Sequence, residues 1–405
     1  MINRDNNLLN VPPLRFNDNV WTKYFISDFL KSFPTNSLTW GDQDAGHGSI
    51  KNIHYGLIHS GFSSTIVKES NKIIPFINEG KEPKRFEGIR NGDVILADAS
   101  EDVPCCGNSV EIICDEKTPL TSGLHTIHCR DMKNLTVPGY KGFYFKSKPM
   151  KDQLRRLVQG SKIYSISPNI FRELQMSIPD KITQTKIVGL LSDIERQIET
   201  QRKIIEDLLQ VQKVIIEKMY SNPSNALIRD CVSQTTSRNK DKTIMNVLSV
   251  SNKNGFVKQS EQFEDRELAS DDTSSYKVIR YNMFAYNPAR ISIGSIARYE
   301  RYEVGIVSPM YVCFVCNGTM LPEYLFYFFK SSTFKKEMEK RLEGSVRLCL
   351  AFEGFSDIPI SRASLIEQKE KIRAISLIAN ILNCERKTLD TLESEKKFLL
   401  AQMFI

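Results

Sequence analysis

The 405-residue chain lacks long hydrophobic runs. No stretch approaches the roughly 18 consecutive apolar residues that cross a membrane as a helix, and the polar N-terminal segment does not resemble a secretory signal peptide. The nine cysteines are scattered, without the spacing of a disulfide scaffold, which favours a reducing compartment. We therefore expect a cytoplasmic protein that has no membrane partner.

Motifs for nucleotide chemistry are absent as well. There is no Walker A loop, which excludes an ATP-driven motor, and no Gly-rich loop follows a strand as a cofactor site requires. Pro179 and Asp180 are typical of the start of a nuclease carboxylate motif, but the Glu-x-Lys that completes such a motif does not follow. We expect no catalytic residue and no cofactor on this chain.

Two cysteine-containing patterns indicate metal ligands only weakly. Cys313 and Cys316 form a lone Cys-x-x-Cys pair in an apolar, strand-like run, without the second pair that a zinc ribbon needs. We expect both thiols on one buried face of that strand. The other group fits no standard ligand spacing and consists of Cys114, His125, His128 and Cys129. We predict no metal site, with these two groups as the alternatives.

Length and charge set looser bounds. The chain is long enough for two or three domains, each with its own core. A net charge of +7 permits a polyanionic partner without establishing one, because local positive patches matter more than the total.

A long internal repeat is the most informative feature that the sequence does contain. The segment that starts at Phe171 recurs without a gap 184 residues later, at Phe355. Identical pairs run through both copies: Phe171/Phe355, Ser177/Ser361, Gln184/Gln368, Ser192/Ser376, Arg202/Arg386, Lys203/Lys387, Leu208/Leu392, Lys213/Lys397 and Met219/Met403. A repeat of this length halves the chain and predicts a duplicated, pseudo-twofold molecule.

Both copies carry apolar residues in a 4-3-4-3 rhythm, which is typical of a coiled-coil seam. The predicted seam consists of Ile187, Leu191, Ile194, Ile198, Ile205, Leu208, Ile215, Met219, Ile375, Ile378, Leu382, Leu389, Leu392, Leu399 and Met403. About 36 helical residues span roughly 55 Å. We expect the two helices to pair with each other in antiparallel directions. The alternative is two separate helices in two separate cores.

The segments before the helices are rich in short β-branched and aromatic runs that Gly, Asn and Pro separate. We predict an α+β fold with two β-rich domains, separated by two long helices that form an antiparallel coiled coil. The predicted boundaries are 1–170 for the first domain, 171–222 for the first helix, 223–354 for the second domain and 355–405 for the second helix.

The order of domain, long helix, domain and long helix resembles the specificity subunit of type I restriction-modification enzymes. The helix entries MSIPDKITQTKI and IPISRASLIEQKEKI resemble the same family. So do four strings in the β-rich domains: GDVILADASED (92–102), SGLHTI (122–127), YNPARISIGSIARYE (286–300) and GIVSPMYVCF (305–314). The resemblance covers nearly the whole chain.

This resemblance implies a subunit without catalysis of its own. Each β-rich domain would be a target-recognition domain that reads one half of a split sequence in double-stranded DNA. The paired helices would set the unread gap and dock methyltransferase subunits, and a motor-nuclease subunit would join to cut unmodified DNA. S-adenosylmethionine, ATP and Mg²⁺ are then expected only on the partner subunits.

Candidate DNA contacts are basic residues in loops and on two short helices that end the β-rich domains. An Arg in a loop grips a phosphate or bridges guanine O6 and N7, whereas cations on a helix track phosphates. A solvated surface is the alternative for each of them. The candidates are Lys81, Lys84, Arg85, Lys151, Arg155, Arg156, Lys162, Arg290, Lys335, Lys336, Lys340, Arg341 and Arg347.

Two other functions stay open. The segment from Tyr286 to Arg290 begins like the catalytic tetrapeptide of adenine methyltransferases, but Ala289 and Arg290 stand where the target base would be stacked. A fused DNA adenine methyltransferase/restriction enzyme is therefore one alternative. A structural coiled-coil protein with unrelated β-rich domains is the other.

Overall fold

The computed structural model describes residues 21–44, 46–101, 105, 107–114, 118–157, 164–166, 168–252, 254–259, 272–344 and 348–404. The chain divides into two compact units. The first comprises the chain up to Lys203 and the segment from Lys387 onward, and the second comprises Ile204–Arg386. Each unit therefore combines one β-rich domain with part of both long helices.

The first domain consists of short strands, because its β-branched and aromatic runs are brief and turn residues end each one. The strands are β1 (Thr22–Phe25), β2 (Leu30–Phe33), β3 (Gln43–Asp44), β4 (Lys51–Ile53), β5 (Ile66–Lys68), β6 (Phe76–Ile77), β7 (Val94–Ala97), β8 (Ala99–Ser100), β9 (Ser109–Ile113), β10 (Leu120–Ser122), β11 (Thr126–Asp131), β12 (Tyr164–Ser165) and β13 (Gln175–Ile178). They form a five-stranded sheet in the order β2-β11-β7-β9-β5, a four-stranded sheet in the order β10-β4-β6-β3, and the pairs β1-β13 and β12-β8.

The second domain is built in the same way. Its strands are β14 (Ala226–Leu227), β15 (Val232–Thr235), β16 (Val247–Ser251), β17 (Gly255–Lys258), β18 (Lys277–Ile279), β19 (Phe284–Tyr286), β20 (Ile296–Arg298), β21 (Gly305–Val307), β22 (Val312–Cys316) and β23 (Pro359–Ile360). They form two four-stranded sheets, in the orders β15-β22-β19-β20 and β17-β16-β21-β18, and the pair β14-β23.

The two domains share a strand order that the sequence comparison does not detect. The antiparallel order β2-β11-β7-β9 corresponds to β15-β22-β19-β20. In the other sheet, β10 runs parallel to β4 as β21 runs parallel to β16. Near the start of each domain, Ile26 and Asp28 have identical counterparts in Ile228 and Asp230, at an offset of 202 rather than 184 residues. A comparison at one constant offset therefore finds no repeat there.

The helices are α1 (Tyr140–Lys146), α2 (Lys148–Leu157), α3 (Pro168–Glu173), α4 (Lys181–Met219), α5 (Pro322–Phe328), α6 (Ser332–Glu339), α7 (Phe352–Ser356) and α8 (Leu365–Gln402). The long helices α4 and α8 contain 39 and 38 residues. Each follows a short strand, β13 or β23, so the helical part of the repeat starts later than Phe171 and Phe355. Nowhere in the described chain does a helix have the length and apolar character needed to cross a membrane.

The long helices run antiparallel within each unit, as predicted. In the first unit, Lys396 contacts Glu195 and Glu393 contacts Arg202. Residue numbers therefore rise along α4 while they fall along α8. In the second unit, the Lys371 ammonium donates a hydrogen bond to the backbone carbonyl at the end of α4.

The predicted seam positions face inward. Those that are buried are Ile187, Leu191, Ile194, Ile198, Met219, Ile375, Leu382, Leu399 and Met403. Those that are half-buried are Ile205, Leu208, Ile215, Ile378, Leu389 and Leu392. A 3.5-residue period places these positions on one side of each helix, which is the side that loses contact with water.

The residue that follows each long helix enters a domain core. The Phe404 ring lies 5.7 Å from the Tyr140 ring in the first unit. The Tyr220 ring lies 4.9 Å from the Tyr324 ring in the second. Both members of the second pair stand 184 residues from their counterparts in the first. The aromatic contact therefore belongs to the repeat, and it attaches each β-rich domain to the end of a long helix.

Candidate nucleic-acid interface

In the first domain, several polar and aromatic loops meet at the carboxyl ends of β4 and β10. Because these strands are parallel, the loops that follow them leave the sheet at the same edge. The backbone N–H of Gly123 donates to the carbonyl of Ile53 at 2.8 Å, which joins the two loops directly. The loop after β4 carries His54 and Tyr55, and the loop after β10 carries His125.

Aromatic rings cover this edge. The Trp40 ring lies 4.8 Å from the His54 ring, and the His54 ring lies 4.5 Å from that of Tyr55. Tyr55 in turn makes edge-on contacts with His125 at 5.4 Å and with His59 at 5.9 Å. We call Trp40, His54, Tyr55, His59 and His125 the aromatic edge of the first domain.

His54 is the buried centre of the aromatic edge. Its Nδ1 accepts a hydrogen bond from the Gly56 N–H at 3.2 Å. Burial lowers the pKa of His54, and the nearby His125 lowers it further. Both effects favour a neutral ring, which serves as an uncharged support for Trp40.

Trp40 projects from a tightly hydrogen-bonded turn. The Asp42 carboxylate accepts hydrogen bonds from the Thr39 N–H at 3.0 Å and the Thr39 hydroxyl at 2.8 Å, and these bonds hold the pKa of Asp42 below its usual range. Asn78 donates to the carbonyls of Gly41 and Asp42. The turn is thereby joined to the loop that carries the predicted basic residues.

That basic loop is also anchored from beneath. Lys81 lies 3.6 Å from the Asp42 carboxylate and keeps 61% of its side chain exposed, and Lys84 and Arg85 are exposed as well. Arg130 on β11 donates to the Glu87 carboxylate at 2.6 Å and to the Gly88 carbonyl at 2.8 Å. The loop thus presents cations from a fixed base.

Arg130 belongs to a buried network with Asp93 and His128. The Asp93 carboxylate lies 2.7 Å from His128 Nε2 and 2.7 Å from Arg130 Nη2. Burial acts to raise the pKa of Asp93, but hydrogen bonds from His128 and Arg130 outweigh it, so this pKa lies below its usual range. The network joins the loop before β7 to β11 and has a supporting role for the edge.

The second domain carries a corresponding edge, at the carboxyl ends of β16 and β21. Asn287 follows β19 and Met310 follows β21, and the Asn287 amide lies 3.7 Å from the Met310 sulfur. In the first domain the corresponding positions, after β7 and β10, hold Asp98 and His125, which lie 3.2 Å apart. The same topological contact therefore uses different side chains in the two domains.

Arg290 stands on this second edge. Its backbone carbonyl accepts hydrogen bonds from the N–H groups of Ile293 and Ser295, and its own N–H donates to the Asn287 carbonyl at 3.0 Å. The Arg290 side chain is exposed and has no hydrogen bond or ion pair within the described residues. The turn therefore holds the backbone while the guanidinium stays available to a ligand.

The basic short helices are partly neutralised. On α2, Lys148 and Arg155 both contact Asp152, at 2.6 and 3.5 Å. Lys151 donates to the Asn108 side chain, whereas Arg156 is exposed.

The helix α6 shows the same arrangement at its end. Lys340 and Arg341, just beyond the helix, both contact Glu337. Lys335 and Lys336 are exposed, with no ion pair among the described residues. Of the predicted candidates, Lys162 and Arg347 lie outside the residues that the structure describes.

The cysteine patterns do not assemble into ligand sets. The expectation that Cys313 and Cys316 share a face of β22 is wrong, since residues three apart in a strand point to opposite sides. Cys313 lies in one hydrophobic cluster and Cys316 packs against another. Burial raises the pKa of each thiol to about 12. In the described part of the chain, no group of three or more His, Cys, Asp or Glu side chains is placed to hold a metal ion.

The sequence analysis missed Trp40, His54 and Tyr55. One signal was present, because Trp40 lies in a polar segment rich in turn residues, where a large aromatic side chain has no nearby apolar run to pack with. His125 was considered only as a metal ligand with His128. The structure separates these two, since His128 is buried with Asp93 and His125 is exposed at the edge.

Comparison with known proteins finds relatives of one kind. The type I restriction enzyme MjaVIII specificity subunit of Methanocaldococcus jannaschii is 21% identical over 416 residues, which cover 94% of this chain and 91% of the relative. No family model matches the chain.

Two solved structures share the fold along nearly the whole length. The S subunit of a type I restriction-modification system from M. genitalium is 14% identical, with a TM-score of 0.55, and the match covers 98% of this chain and 99% of that one. A chain from a study of complex assembly and conformational transition of the type I R-M system is 13% identical, with a TM-score of 0.59 and coverage of 96% and 98%. The predicted resemblance is confirmed, and the fold is the one seen in these structures.

Proposed function

We propose that this chain is the DNA-specificity subunit of a type I restriction-modification complex. Each β-rich domain binds one half of a bipartite target in double-stranded DNA, while α4 and α8 set the unread gap and dock methyltransferase subunits. The chain supplies no catalytic residue. S-adenosylmethionine, ATP and Mg²⁺ act on the partner subunits, which include a motor-nuclease.

The observation that carries the proposal is the pair of equivalent edges. Both lie at the carboxyl ends of a parallel strand pair inside one shared strand order, yet one presents Trp40 and His125 and the other presents Arg290 and Met310. Reading two different half-sites requires one frame that holds two different sets of side chains. Two enzyme sites with the same activity would instead need the same side chains in both frames.

Apolar side chains left exposed on the long helices support the docking of partner subunits. An isolated exposed Leu or Ile is ordinary, whereas several along one helix suit a protein partner. The side chains concerned are Ile182, Leu190, Ile204, Leu209, Val211, Val214, Leu365, Ile366 and Leu377.

Mapping of methylated adenines across the genome tests the proposal, in the source cell with and without this gene. We expect a motif of two short half-sites around a fixed gap to disappear with the gene and to return with a plasmid copy. If the gene is expressed together with its methyltransferase subunits and no split motif depends on it, the proposal is wrong.

Two altered chains test the division of labour. Exchange of residues 1–170 for the first domain of another specificity subunit should change one half-site and leave the other intact. Insertion of about seven residues into a long helix keeps the seam in phase and should lengthen the unread gap. Retained methylation at an unchanged gap would contradict the role of the helices as spacers.

A further inference from the structure

We propose that Trp40 and His125 read A·T base pairs in the first half-site from the major groove. This inference rests on the proposed function, and it assigns base contact to residues on the aromatic edge. The argument combines the exposure of the Trp40 ring, the orientation of the His125 ring and the cations beside them.

Trp40 offers one aromatic face to a ligand. The ring is 50% exposed, although indole gains more from burial than most side chains. Its other face packs on His54 and on Gly56, where an added Cβ would lie 3.2 Å from the indole. The hydrogen bonds of the Thr39–Asp42 turn fix the position of the ring. An apolar surface held in this way suits the C5-methyl group that marks thymine in the major groove.

His125 offers a hydrogen-bonding atom with a set direction. Its backbone has a φ of 54°, in the left-handed region that few residues other than glycine adopt. Nδ1 lies 3.2 Å from the Asp98 carboxylate, which can accept only a proton-bearing nitrogen as its partner. The neutral ring then has an acceptor at Nε2, and no described residue contacts that atom. An acceptor there matches the N6 amino group of adenine, which lies in the same groove as the thymine methyl.

The basic loop supplies the complementary charge. Asn78 joins the loop to the Trp40 turn, so that Lys81, Lys84 and Arg85 lie beside the aromatic edge rather than elsewhere on the domain. Phosphate contacts of this kind position a protein on DNA without selecting a sequence. Base selection is thereby left to the side chains between the cations and the strands, which include Trp40 and His125.

The test is a map of methylated adenines in cells that express this chain with its methyltransferase subunits. Trp40→Ala and His125→Ala should each reduce discrimination about ten-fold at one or more A·T positions of the first half-site, other than the methylated adenine. The second half-site and the gap should stay unchanged. Trp40→Phe should keep the original motif, because it keeps an aromatic face on the same turn.

Met132→Ala is the matched control. Met132 is exposed on the same domain but follows the other end of β11 from His125, so its removal should leave the motif intact. The inference is overturned if both alanine variants methylate the original motif unchanged, or if Trp40→Phe loses methylation altogether. It is also overturned if the first half-site holds no A·T pair besides the methylated one. Failure of the proposed function looks different, because the unaltered chain would then direct no split motif.

Discussion

Lys396 on α8 donates a hydrogen bond to Glu195 on α4, with 2.6 Å between Nζ and Oε1. Glu195 is 6% exposed and also accepts hydrogen bonds from the backbone N–H and hydroxyl of Thr65. This cluster ties both long helices to the first β-rich domain. At an offset of 184, the counterparts in the second unit are Ala379 and Gln212, which cannot form an ion pair.

Replacement of Lys396 by Met should destabilise the first unit by about 2–4 kcal/mol, because it leaves a buried carboxylate without its cation. Urea unfolding followed by circular dichroism measures the change in free energy. The control is Glu393→Gln, which breaks a pair of equal length between side chains that are both nearly half exposed. That change should cost less than about 1 kcal/mol, and equal costs for the two variants would contradict the role of burial.

Lys146 should make stability depend on pH. Burial lowers the pKa of Lys146 to about 8, an effect that Glu195 opposes and Lys396 reinforces. An unfolded lysine keeps a pKa of about 10.4. Between these values the unfolded chain binds more protons than the folded chain, so this residue makes the free energy of unfolding rise with pH from about 8 to 10.4.

Lys146→Met removes that dependence. We expect the variant to be more stable than the natural chain below pH 8, by about 1–3 kcal/mol, with the difference shrinking as the pH rises towards 10. Chemical unfolding at several pH values measures the difference, and Lys148→Met on the exposed side of α2 is the control. A difference that is independent of pH would show that Lys146 is not held against its charged form.

Gln184 and Gln368 should matter equally, because they make equivalent hydrogen bonds. Gln184 accepts from the N–H of Val137 at 2.8 Å, and Gln368 accepts from the N–H of Leu321 at 2.8 Å. Each amide also donates to two carbonyls: Leu135 and Pro179 for Gln184, and Thr319 and Ala363 for Gln368.

Gln184→Leu and Gln368→Leu should each cost about 1–3 kcal/mol, since each leaves buried backbone groups without a partner. Hydrogen exchange should speed up near residues 135–137 in one variant and near 319–321 in the other. Gln197→Leu, on an exposed position of α4, should change neither segment. An effect in only one unit would mean that the repeat is not energetically equivalent.

Arg290→Ala distinguishes base contact from phosphate contact. If Arg290 bridges a guanine, we expect a loss of about 1–3 kcal/mol at one base of one half-site, and if it grips a phosphate, a uniform loss across sequences. Binding of the assembled methyltransferase complex to a panel of single-base variants measures the pattern. Arg301→Ala is the control, because Arg301 is exposed beyond the opposite end of β20. No change with either variant would remove Arg290 from the interface.

The parts of the fold that depend on local patterns were predictable. The 3.5-residue period of Ile187, Leu191 and Ile194 requires only that neighbours in the chain share a helix face. The antiparallel pairing followed from two such helices in one chain. The basic residues near Lys151 and Lys336 were recognisable as helix faces, but their ion pairs with Asp152 and Glu337 required side-chain directions that a sequence does not contain.

The sequence by itself determined the duplication, the two long helices with their seam, and the β-rich character of the domains, because each is written in periodicity or in an offset between identical residues. Only the tertiary structure decided where Trp40, His54 and His125 meet. These residues are far apart in the chain, and the parallel pairing of β4 with β10 brings them to one edge. Such pairing depends on distant segments rather than on local preference, and for the same reason the shared strand order of the two domains was visible only in the folded chain.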